Sequence, residues 1–461
     1  MANTRRDFLR TSACALGGMA LASSLDTFGV VHALTPQAAP DYRALVCVFL
    51  NGGNDGNNMF LDLNQYSQYS AARNADQLAI PQANFLSVAP VSGGSFGFHP
   101  NMPEMQTLFN QGKLAVLCNN GPLVEPLTRT TYQNGTGKKP LQLFSHSDQV
   151  GLFQTAIANV VSQTGWSGRV ADKVSGLNGS ATFPQNISIA GINLLLTGVN
   201  TRQLAVADSN TTLANVLQLI MTGSASEVNS RTASFNELRT YDQNFTLIKA
   251  ASDTRTSAMQ TDQALSTVSP VLATVFPNTS LGRQLLQVAR LIKASTDLTA
   301  GINMKRQIFF CQLGGFDTHS AQNGGQVNLL TQVSAAMKAF YDATVELGLA
   351  NNVTTFTLSD FGRTLQPAGS GAAQVGSDHA WGNHHFIMGG SVVGGRFFGT
   401  YPTLALGGPD DTDSRGRWIP TTSVEQYAAT LATWYGLAQV DLSAVFPLIG
   451  RFATPTLPFM A

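Results

Sequence analysis

The sequence predicts an α/β fold with a largely parallel central sheet flanked by helices. Short apolar runs, typical of strands buried on both faces, alternate along the chain with segments of helical period. Several of these runs end directly in a turn that contains or precedes a carboxylate, and the 43 Gly residues suit many tight turns. In such folds ligands bind outside the carboxyl ends of the strands, so the residues that follow each run are the candidate site.

Length and composition restrict the functional class. With 461 residues, of which 43% are hydrophobic, the chain can bury a large core. Charged residues make up only 12%, and 27 Lys plus Arg balance 27 Asp plus Glu. A net charge of zero gives no indication of nucleic acid or an anionic membrane as a partner, so we expect neither.

The first 39 residues have the pattern of a twin-arginine export signal. Arg5 and Arg6 precede a modest apolar run from Ala13 to Leu25. The run is too short and too rich in Gly for a stable membrane span, so we expect no integral membrane segment in the mature chain. An ordinary amphipathic first helix is the alternative. The pattern predicts recognition by the twin-arginine export machinery and a periplasmic or secreted protein.

The first apolar run, Tyr42–Leu50, predicts a central parallel strand. It leads into a turn, Asn51–Asn58, whose one carboxylate is Asp55. Asp55 either caps the next helix or belongs to a site, and its place after the first strand favours the site. Further strands are predicted at Lys113–Asn120, Pro184–Ile189, Ile308–Leu313, Val353–Leu358, His385–Met388 and Gly394–Phe398.

A second polar group precedes a predicted helix at Gln149–Val160. Ser145, His146 and Ser147 stand at its start. A serine there can simply cap the helix. Its hydroxyl would also lie beside free backbone N–H groups at the positive end of the helix dipole, which favours a phosphate-like anion. His146 adds a metal ligand or a base, and both interpretations stay open.

Most of the candidate chemistry lies between Ile308 and His385. Two strand-like runs each end near a carboxylate, and a Gly-rich loop then brings further imidazoles. The candidate ligands of this stretch are Asp317, His319, Asp360, Asp378, His379 and His384. Such side chains suit a divalent metal, with zinc preferred over manganese, magnesium, calcium or iron. Arg363 could pair with Asp360, hold an anionic substrate through its planar fork, or only cap the turn.

The stretch from 199 to 300 differs in character. It is rich in Ser, Thr, Asn and Gln and contains neither His nor Cys. Its helical period predicts helices at Ala214–Met221, Ala225–Leu265 and Leu281–Ala294. We therefore expect one α/β domain over residues 40–461 that carries a helical insertion at about 199–300.

Taken together, several motifs resemble the domain-of-unknown-function family 1501. They are the Arg-Arg leader, Asn-Gly-Gly-Asn-Asp-Gly after the first strand, Ser-His near the second helix, Gly-Gly-Phe-Asp-Thr-His, Ser-Asp-Phe-Gly-Arg-Thr, Asp-His, and Gly-Arg followed by Pro-Thr-Thr-Ser. The resemblance covers about Arg43 to Ala438. That family is similar in fold to the alkaline phosphatase and sulfatase superfamily, which implies an alkaline-phosphatase-like domain.

The superfamily implies two metal ions held by Asp and His from the strand ends, with a Ser, Thr or Cys nucleophile at a helix start. By position, Ser145 or Ser147 resembles the nucleophile and Asp55 the carboxylate of the first strand. The departures are a spacing of two residues between Asp317 and His319, and Phe361 where a His commonly follows the next Asp. One ion, an atypical pair of ions and an emptied site therefore all stay open.

Two functions follow from these patterns. The first is an exported metal-dependent hydrolase of phosphate or sulfate esters, in which Ser145 attacks, His146 assists and Arg363 helps to hold a small anionic ester. The alternative is a non-catalytic periplasmic or surface protein that keeps the fold and binds an envelope component. A metal-independent Ser-His-Asp hydrolase is a third and weaker option.

Overall fold

The computed structural model describes residues 42–461, except for 75–77, 182, 214, 216, 218–221, 267–270, 297–301 and 370–374. The predicted export signal and most of the predicted helix Ala214–Met221 lie outside the described residues. The strands are β1 (Arg43–Leu50), β2 (Phe60–Asp62), β3 (Leu86–Val88), β4 (Phe96–Phe98), β5 (Leu114–Gly121), β6 (Asn186–Ser188), β7 (Gln203–Ala205), β8 (Arg306–Leu313), β9 (Val353–Ser359), β10 (Arg363–Ala368), β11 (Gly376–His379), β12 (Asn383–Met388), β13 (Arg396–Phe398) and β14 (Thr422–Ser423).

The α-helices alternate with these strands along most of the chain. They are α1 (Gly56–Met59), α2 (Tyr66–Arg73), α3 (Pro103–Asn110), α4 (Arg129–Gln133), α5 (His146–Thr155), α6 (Trp166–Val174), α7 (Ala225–Leu238), α8 (Thr246–Ser266), α9 (Ser280–Thr296), α10 (Gln322–Glu346), α11 (Val424–Tyr435) and α12 (Leu442–Val445). None of the helices in the described part of the chain combines the length and the apolar character that crossing a membrane requires.

A nine-stranded sheet forms the centre of the molecule. Its order is β13-β5-β12-β9-β1-β8-β6-β7, with β14 also paired to β5. All pairings are parallel except the two made by β12, which runs antiparallel to β5 and to β9. The predicted α/β class with a largely parallel sheet flanked by helices is confirmed.

Burial on both faces explains why the first strand is apolar from Ala44 to Leu50. In β1, Val46 and Val48 belong to the core on one side of the sheet, together with residues of α3, α9 and α10. Cys47 and Phe49 belong to the core on the other side, together with residues of α6 and α11. Because side chains alternate between faces, a strand covered on both sides needs apolar residues at every position.

The helical stretch differs in one respect from the prediction. The expected helix Ala225–Leu265 is divided into α7 and α8, and between them Asp242 has a φ of 53°. Asp tolerates this left-handed conformation, which a continuing right-handed helix cannot contain. The expected helix Leu281–Ala294 is present as α9 and is largely buried. The division into one domain with an insertion stays a prediction.

The sheet gathers many polar chain segments at one edge. Strands β1, β5, β8 and β9 all end at this edge, because they run in the same direction, whereas β12 begins there. A two-stranded hairpin of β10 and β11 covers the edge and pairs Arg363 with His379. The turn after β1, the loop after β8 and the start of α5 therefore lie close together in space.

Candidate metal centre

Four side chains converge at the carboxyl edge of the sheet. They are His146 at the first position of α5, Asp317 and His319 in the loop after β8, and His379 at the end of β11. One donor atom from each side chain lies within 4.8 Å of the other three. Within the described residues, no other group of three or more His, Cys, Asp or Glu has this geometry.

The distances between the donor atoms fit a single small metal ion. Nε2 of His379 lies 3.0 Å from Nε2 of both His146 and His319. Oδ1 of Asp317 lies 3.0, 3.4 and 3.8 Å from the Nε2 atoms of His319, His146 and His379. Tetrahedral donors bonded at about 2.0–2.1 Å would be roughly 3.3 Å apart, and these five separations bracket this value, with all four atoms within 4.8 Å of one another.

Hydrogen bonds on the far side of the rings direct the Nε2 lone pairs into the cluster. Nδ1 of His146 lies 2.8 Å from Oδ2 of Asp360, and Nδ1 of His379 lies 2.7 Å from the carbonyl oxygen of Phe144. Both oxygens accept, so each Nδ1 donates, and in the neutral ring Nε2 is then the nitrogen that carries a lone pair. This outer hydrogen bond is the usual companion of a metal-binding histidine.

The third imidazole, His319, has a longer outer contact, and burial affects the pKa of His379. Nδ1 of His319 faces a carboxylate oxygen of Asp378 at 3.5 Å. Burial lowers the pKa of His379 below its ordinary value, against the hydrogen bond to Phe144, and the nearby charges of His146, Arg363 and His319 lower it further. A lowered pKa favours the neutral ring, which is the form that binds a metal ion.

Arg363 fixes the carboxylate of Asp317. Its guanidinium is buried, donates to Oδ1 of Asp317 at 2.6 Å, and also donates to backbone carbonyls that include those of Gly53 and Ser377, both at 2.9 Å. Partial burial acts to raise the pKa of Asp317, but the hydrogen bond and charge of Arg363 hold it below its usual range. Arg363 therefore orients a donor and braces the turn after β1, where the sequence left a pair with Asp360, an anion contact and a turn cap open.

Asp360 lies behind the cluster, although the sequence predicted it as a ligand. Both of its oxygens are engaged, because Oδ1 accepts from the backbone N–H of Gly52 at 2.9 Å and Oδ2 accepts from His146. A side chain at position 52 would lie 2.4 Å from the backbone nitrogen of Asp317, and φ there is +117°. Glycine at this position thus allows the turn after β1 to approach the loop after β8.

Phe361 forms one wall of the cluster. Its ring is fully buried, and its centroid lies 4.7 Å from the ring centroids of both His146 and His379. It directly follows Asp360, at the position where the family resemblance led us to expect a His. Because an aromatic hydrocarbon ring offers no ligand atom, the described side chains provide one group of convergent donors and not two.

An open cleft of about 390 Å³ adjoins the donors. Its walls are formed by Asn51, Gly52, His146, Ser147, Val150, Asp317 and Asp360. About half of the side-chain surface of His319 and of Asp317 is exposed, so the centre is accessible from solvent. Of the polar side chains in the walls, Asn51 and Ser147 are the two not committed to holding the cluster.

A model of one protein family matches residues 42–412, which is most of the chain. This chain belongs to the DUF1501 family. The family is described as a protein of unknown function, so membership alone assigns no activity. No curated protein matches the sequence.

Solved structures similar to this DUF1501 chain show low identity. The C-terminal periplasmic domain of EcEptC from Escherichia coli, in complex with Zn, is 11% identical, with a TM-score of 0.34 and coverage of 88% of this chain and 85% of that one. The PsFucS1 sulfatase from Pseudoalteromonas sp. is 12% identical, with a TM-score of 0.30 and coverage of 85% and 72%. The lipoteichoic acid synthase LtaP from Listeria monocytogenes is 8% identical, with a TM-score of 0.31 and coverage of 87% and 74%.

Two of the residues predicted as ligands lie apart from the donors in this DUF1501 protein. Asp55 is buried and forms an ion pair with Arg73, with oxygen–nitrogen distances of 2.5 and 2.9 Å, and it also accepts from Gln322 at 2.6 Å. His384 is buried and its Nδ1 accepts from the backbone N–H of Asn119 at 3.1 Å. Burial lowers the pKa of His384 to about 3.

The start of α5 also differs in detail from the prediction. Ser145 occupies the N-cap position, but its hydroxyl donates to Asp148 at 2.6 Å and makes no capping hydrogen bond. Ser147, two residues further along and within the first turn of α5, is the serine in the wall of the cleft. Of this segment, His146 lies in the cluster as a candidate donor, where the sequence left ligand and base open.

Two arginines that form ion pairs with predicted ligands were not identified from the sequence. Arg73, which neutralises Asp55, lies in a helix without any motif, and only its buried position identifies it. Arg415 pairs with Asp378 at 2.6 Å. The signal that could have drawn attention to it is the Ser-Arg-Gly-Arg sequence beside the Pro-Thr-Thr-Ser motif.

Proposed function

We propose that the cluster binds one divalent metal ion, with zinc preferred, and that this DUF1501 protein hydrolyses phosphate or sulfate esters outside the cytoplasm. The observation that carries the proposal is the convergence of three Nε2 atoms and one carboxylate oxygen in an open cleft. With Nδ1 of His146 and of His379 donating elsewhere, their Nε2 lone pairs face each other at 3.0 Å and repel each other unless a cation lies between them. Neutral imidazoles with one carboxylate form a donor set that suits zinc, and also manganese or iron.

The metal would be held by His146, Asp317, His319 and His379. A bound divalent ion polarises an ester oxygen and lowers the pKa of a neighbouring hydroxyl or water. Asp360 and the Phe144 carbonyl keep two of the rings in the tautomer that presents Nε2. Arg363 keeps Asp317 ionised and oriented toward the same point.

The cleft also provides groups for the anionic part of an ester. Ser147 and Asn51 line the open volume. The first turn of α5 adds the positive end of its dipole, and Ser145 does not cap it. Since the hydroxyl of Ser145 is bonded to Asp148, we assign Ser147 the role of nucleophile or substrate contact.

A non-catalytic binding protein is the second candidate, and one observation favours it. Four protein donors would complete a tetrahedral shell, which is typical of structural zinc sites, whereas catalytic sites keep one position for water. The exposure of His319 and Asp317 leaves one side of the centre open to a further ligand. The two candidates therefore differ in whether the loaded protein turns over an ester. Export through the twin-arginine route is part of both candidates, on the evidence of residues 1–39.

Metal content and hydrolysis of the purified protein test the proposal together. We expect about one ion per chain by elemental analysis, and hydrolysis of p-nitrophenyl phosphate or p-nitrophenyl sulfate that chelation removes and metal restores. Asp342→Asn, a half-exposed carboxylate on α10, serves as the matched control and should behave like the wild type. Bound metal without turnover would favour the binding protein, whereas a chain that cannot be loaded with any metal would refute the metal site and with it the hydrolase.

Asp360 should contribute more to metal binding than Asp378. Asp360→Asn replaces the carboxylate that accepts from His146 at 2.8 Å, and we expect the metal affinity to fall by about 10–100-fold. Asp378→Asn changes a contact of 3.5 Å to His319 and should lower the affinity less. Competition titration against a chromophoric zinc chelator measures both variants. An unchanged affinity in Asp360→Asn would show that this carboxylate does not orient the ring.

A further inference from the structure

Three arginines lie near the metal centre, and two of them are occupied by the protein itself. Arg363 is buried among backbone carbonyls and Asp317. Arg417 donates through Nε to the carbonyl of His379 at 2.9 Å and through Nη1 to Asp413 at 2.6 Å, and its guanidinium lies over the ring of Phe144. Both therefore support the residues that carry the cluster.

The third, Arg415, keeps donors that the protein does not use. Nη1 pairs with Asp378 at 2.6 Å, and about a third of the side chain is exposed. Within the part of the chain that the structure describes, Nε and Nη2 of Arg415 make no hydrogen bond. A guanidinium carries five N–H donors in a planar fork that matches phosphate, sulfate and carboxylate groups.

Arg415 is close enough to the centre to contact the same ligand. The Asp378 carboxylate lies 2.6 Å from Nη1 of Arg415 and 3.5 Å from Nδ1 of His319. The carboxylate and the imidazole each span about 2.2 Å, so Nη1 of Arg415 lies no more than about 11 Å from Nε2 of His319. The side chains of all three residues are partly exposed, which leaves a solvent-accessible path between the metal donors and the arginine.

The loop that carries Arg415 is held rigidly. The buried carboxylate of Asp411 accepts four backbone N–H groups, from Gly407, Asp413, Gly416 and Arg417, at 2.8–3.2 Å. Arg129 donates to the carbonyls of Gly408, Asp411 and Asp413 at 2.7–3.0 Å. A guanidinium on a fixed backbone loses less freedom on binding, so it binds an anion more strongly than one on a mobile loop.

We propose that Arg415 binds a second anionic group of the substrate, and that the substrates are esters carrying two anionic groups within about 10 Å of each other. One group would lie at the metal donors and the other at Arg415. The ion pair with Asp378 is partly exposed and therefore weak, so a substrate anion can replace or share it. This inference rests on the proposed function, because it assigns the first anionic group to the metal centre.

Binding of matched ligands to the metal-loaded protein tests the role of Arg415 without requiring turnover. Hexane-1,6-diyl bisphosphate and hexyl phosphate differ in the second anionic group, and isothermal titration calorimetry gives both affinities. We expect the wild type to bind the bisphosphate at least about 10-fold more tightly, since a charge-assisted hydrogen bond to a second phosphate contributes on this scale. In Arg415→Gln this preference should disappear, with the affinity for hexyl phosphate and the metal content unchanged.

Two further variants define the result. Arg415→Lys keeps the charge without the planar fork and should retain part of the preference. Arg283→Gln removes another partly exposed arginine that is paired with a carboxylate, Asp208, and should keep the full preference. Equal affinities of the wild type for the two ligands, or a preference that survives in Arg415→Gln, would overturn the inference. A fall in the metal affinity of Arg415→Gln would also overturn it, because Arg415 would then act through Asp378 on His319. A wild type that binds the bisphosphate preferentially but hydrolyses no ester would refute the hydrolase alone.

Discussion

His379→Ala should leave the protein unable to retain a metal ion under conditions in which the wild type keeps about one. Nε2 of His379 lies 3.0 Å from the donor atoms of both His146 and His319, so its loss removes the centre of the donor set. Loss of an orienting partner already lowers metal affinity 10–100-fold, and loss of a ligand should exceed about 100-fold. Elemental analysis after gel filtration and a chelator competition measure the change.

Thermal unfolding provides a second readout for the same variant. A metal that binds only the folded state raises its stability, so added zinc should raise the Tm of the wild type and leave that of His379→Ala unchanged. Asp342→Asn should respond to zinc like the wild type, because its carboxylate pairs with Lys338 on the same helix. A His379→Ala protein that binds zinc as tightly as the wild type would show that the cluster is not the metal site.

Asp55→Ala should destabilise the fold strongly while leaving the metal centre intact. The substitution removes the partner of Arg73, whose guanidinium is fully buried, and an unpaired buried charge costs about 3–5 kcal/mol. Gln322 and Asn57 would also lose an acceptor. Urea unfolding should show a lower free energy of unfolding, and the folded fraction should still bind one metal ion.

An exposed ion pair in the same protein is the control for this effect. Asp342→Ala removes the partner of Lys338 in a half-exposed pair, which should change the free energy of unfolding by no more than about 1 kcal/mol. The double variant Asp55→Asn with Arg73→Met should be less destabilised than the sum of its single variants, because the two side chains compensate each other. Loss of metal from folded Asp55→Ala would instead identify Asp55 as a ligand.

The sheet could be predicted from the sequence to a large extent, because its strands are covered on both sides. The continuous apolar run at Tyr42–Leu50 appears as β1, and the run at Val353–Leu358 appears as β9, each within one residue. The reversed direction of β12 could not be predicted, since side-chain pattern does not encode strand polarity. The hairpin of β10 and β11 was also missed, because its polar sequence has no alternating pattern.

The candidate site was predictable in its location but not in its internal roles. Parallel strands end at the same edge, so Asp317 and His319 after β8 were expected near the chain after β9. Which carboxylate faces the centre depends on hydrogen bonds from distant segments. Asp360 is turned toward Gly52 and His146, and Asp55 toward Arg73, and no local pattern encodes these partners.

The donors of the cluster come from widely separated parts of the chain, since His146 and His379 are 233 residues apart in sequence. A nascent or partly folded chain that lacks β11 presents only three of the four donors. If the cluster holds an ion, its retention should report that folding is complete, and the ion should oppose local opening of this edge, because its release must accompany any separation of the three segments.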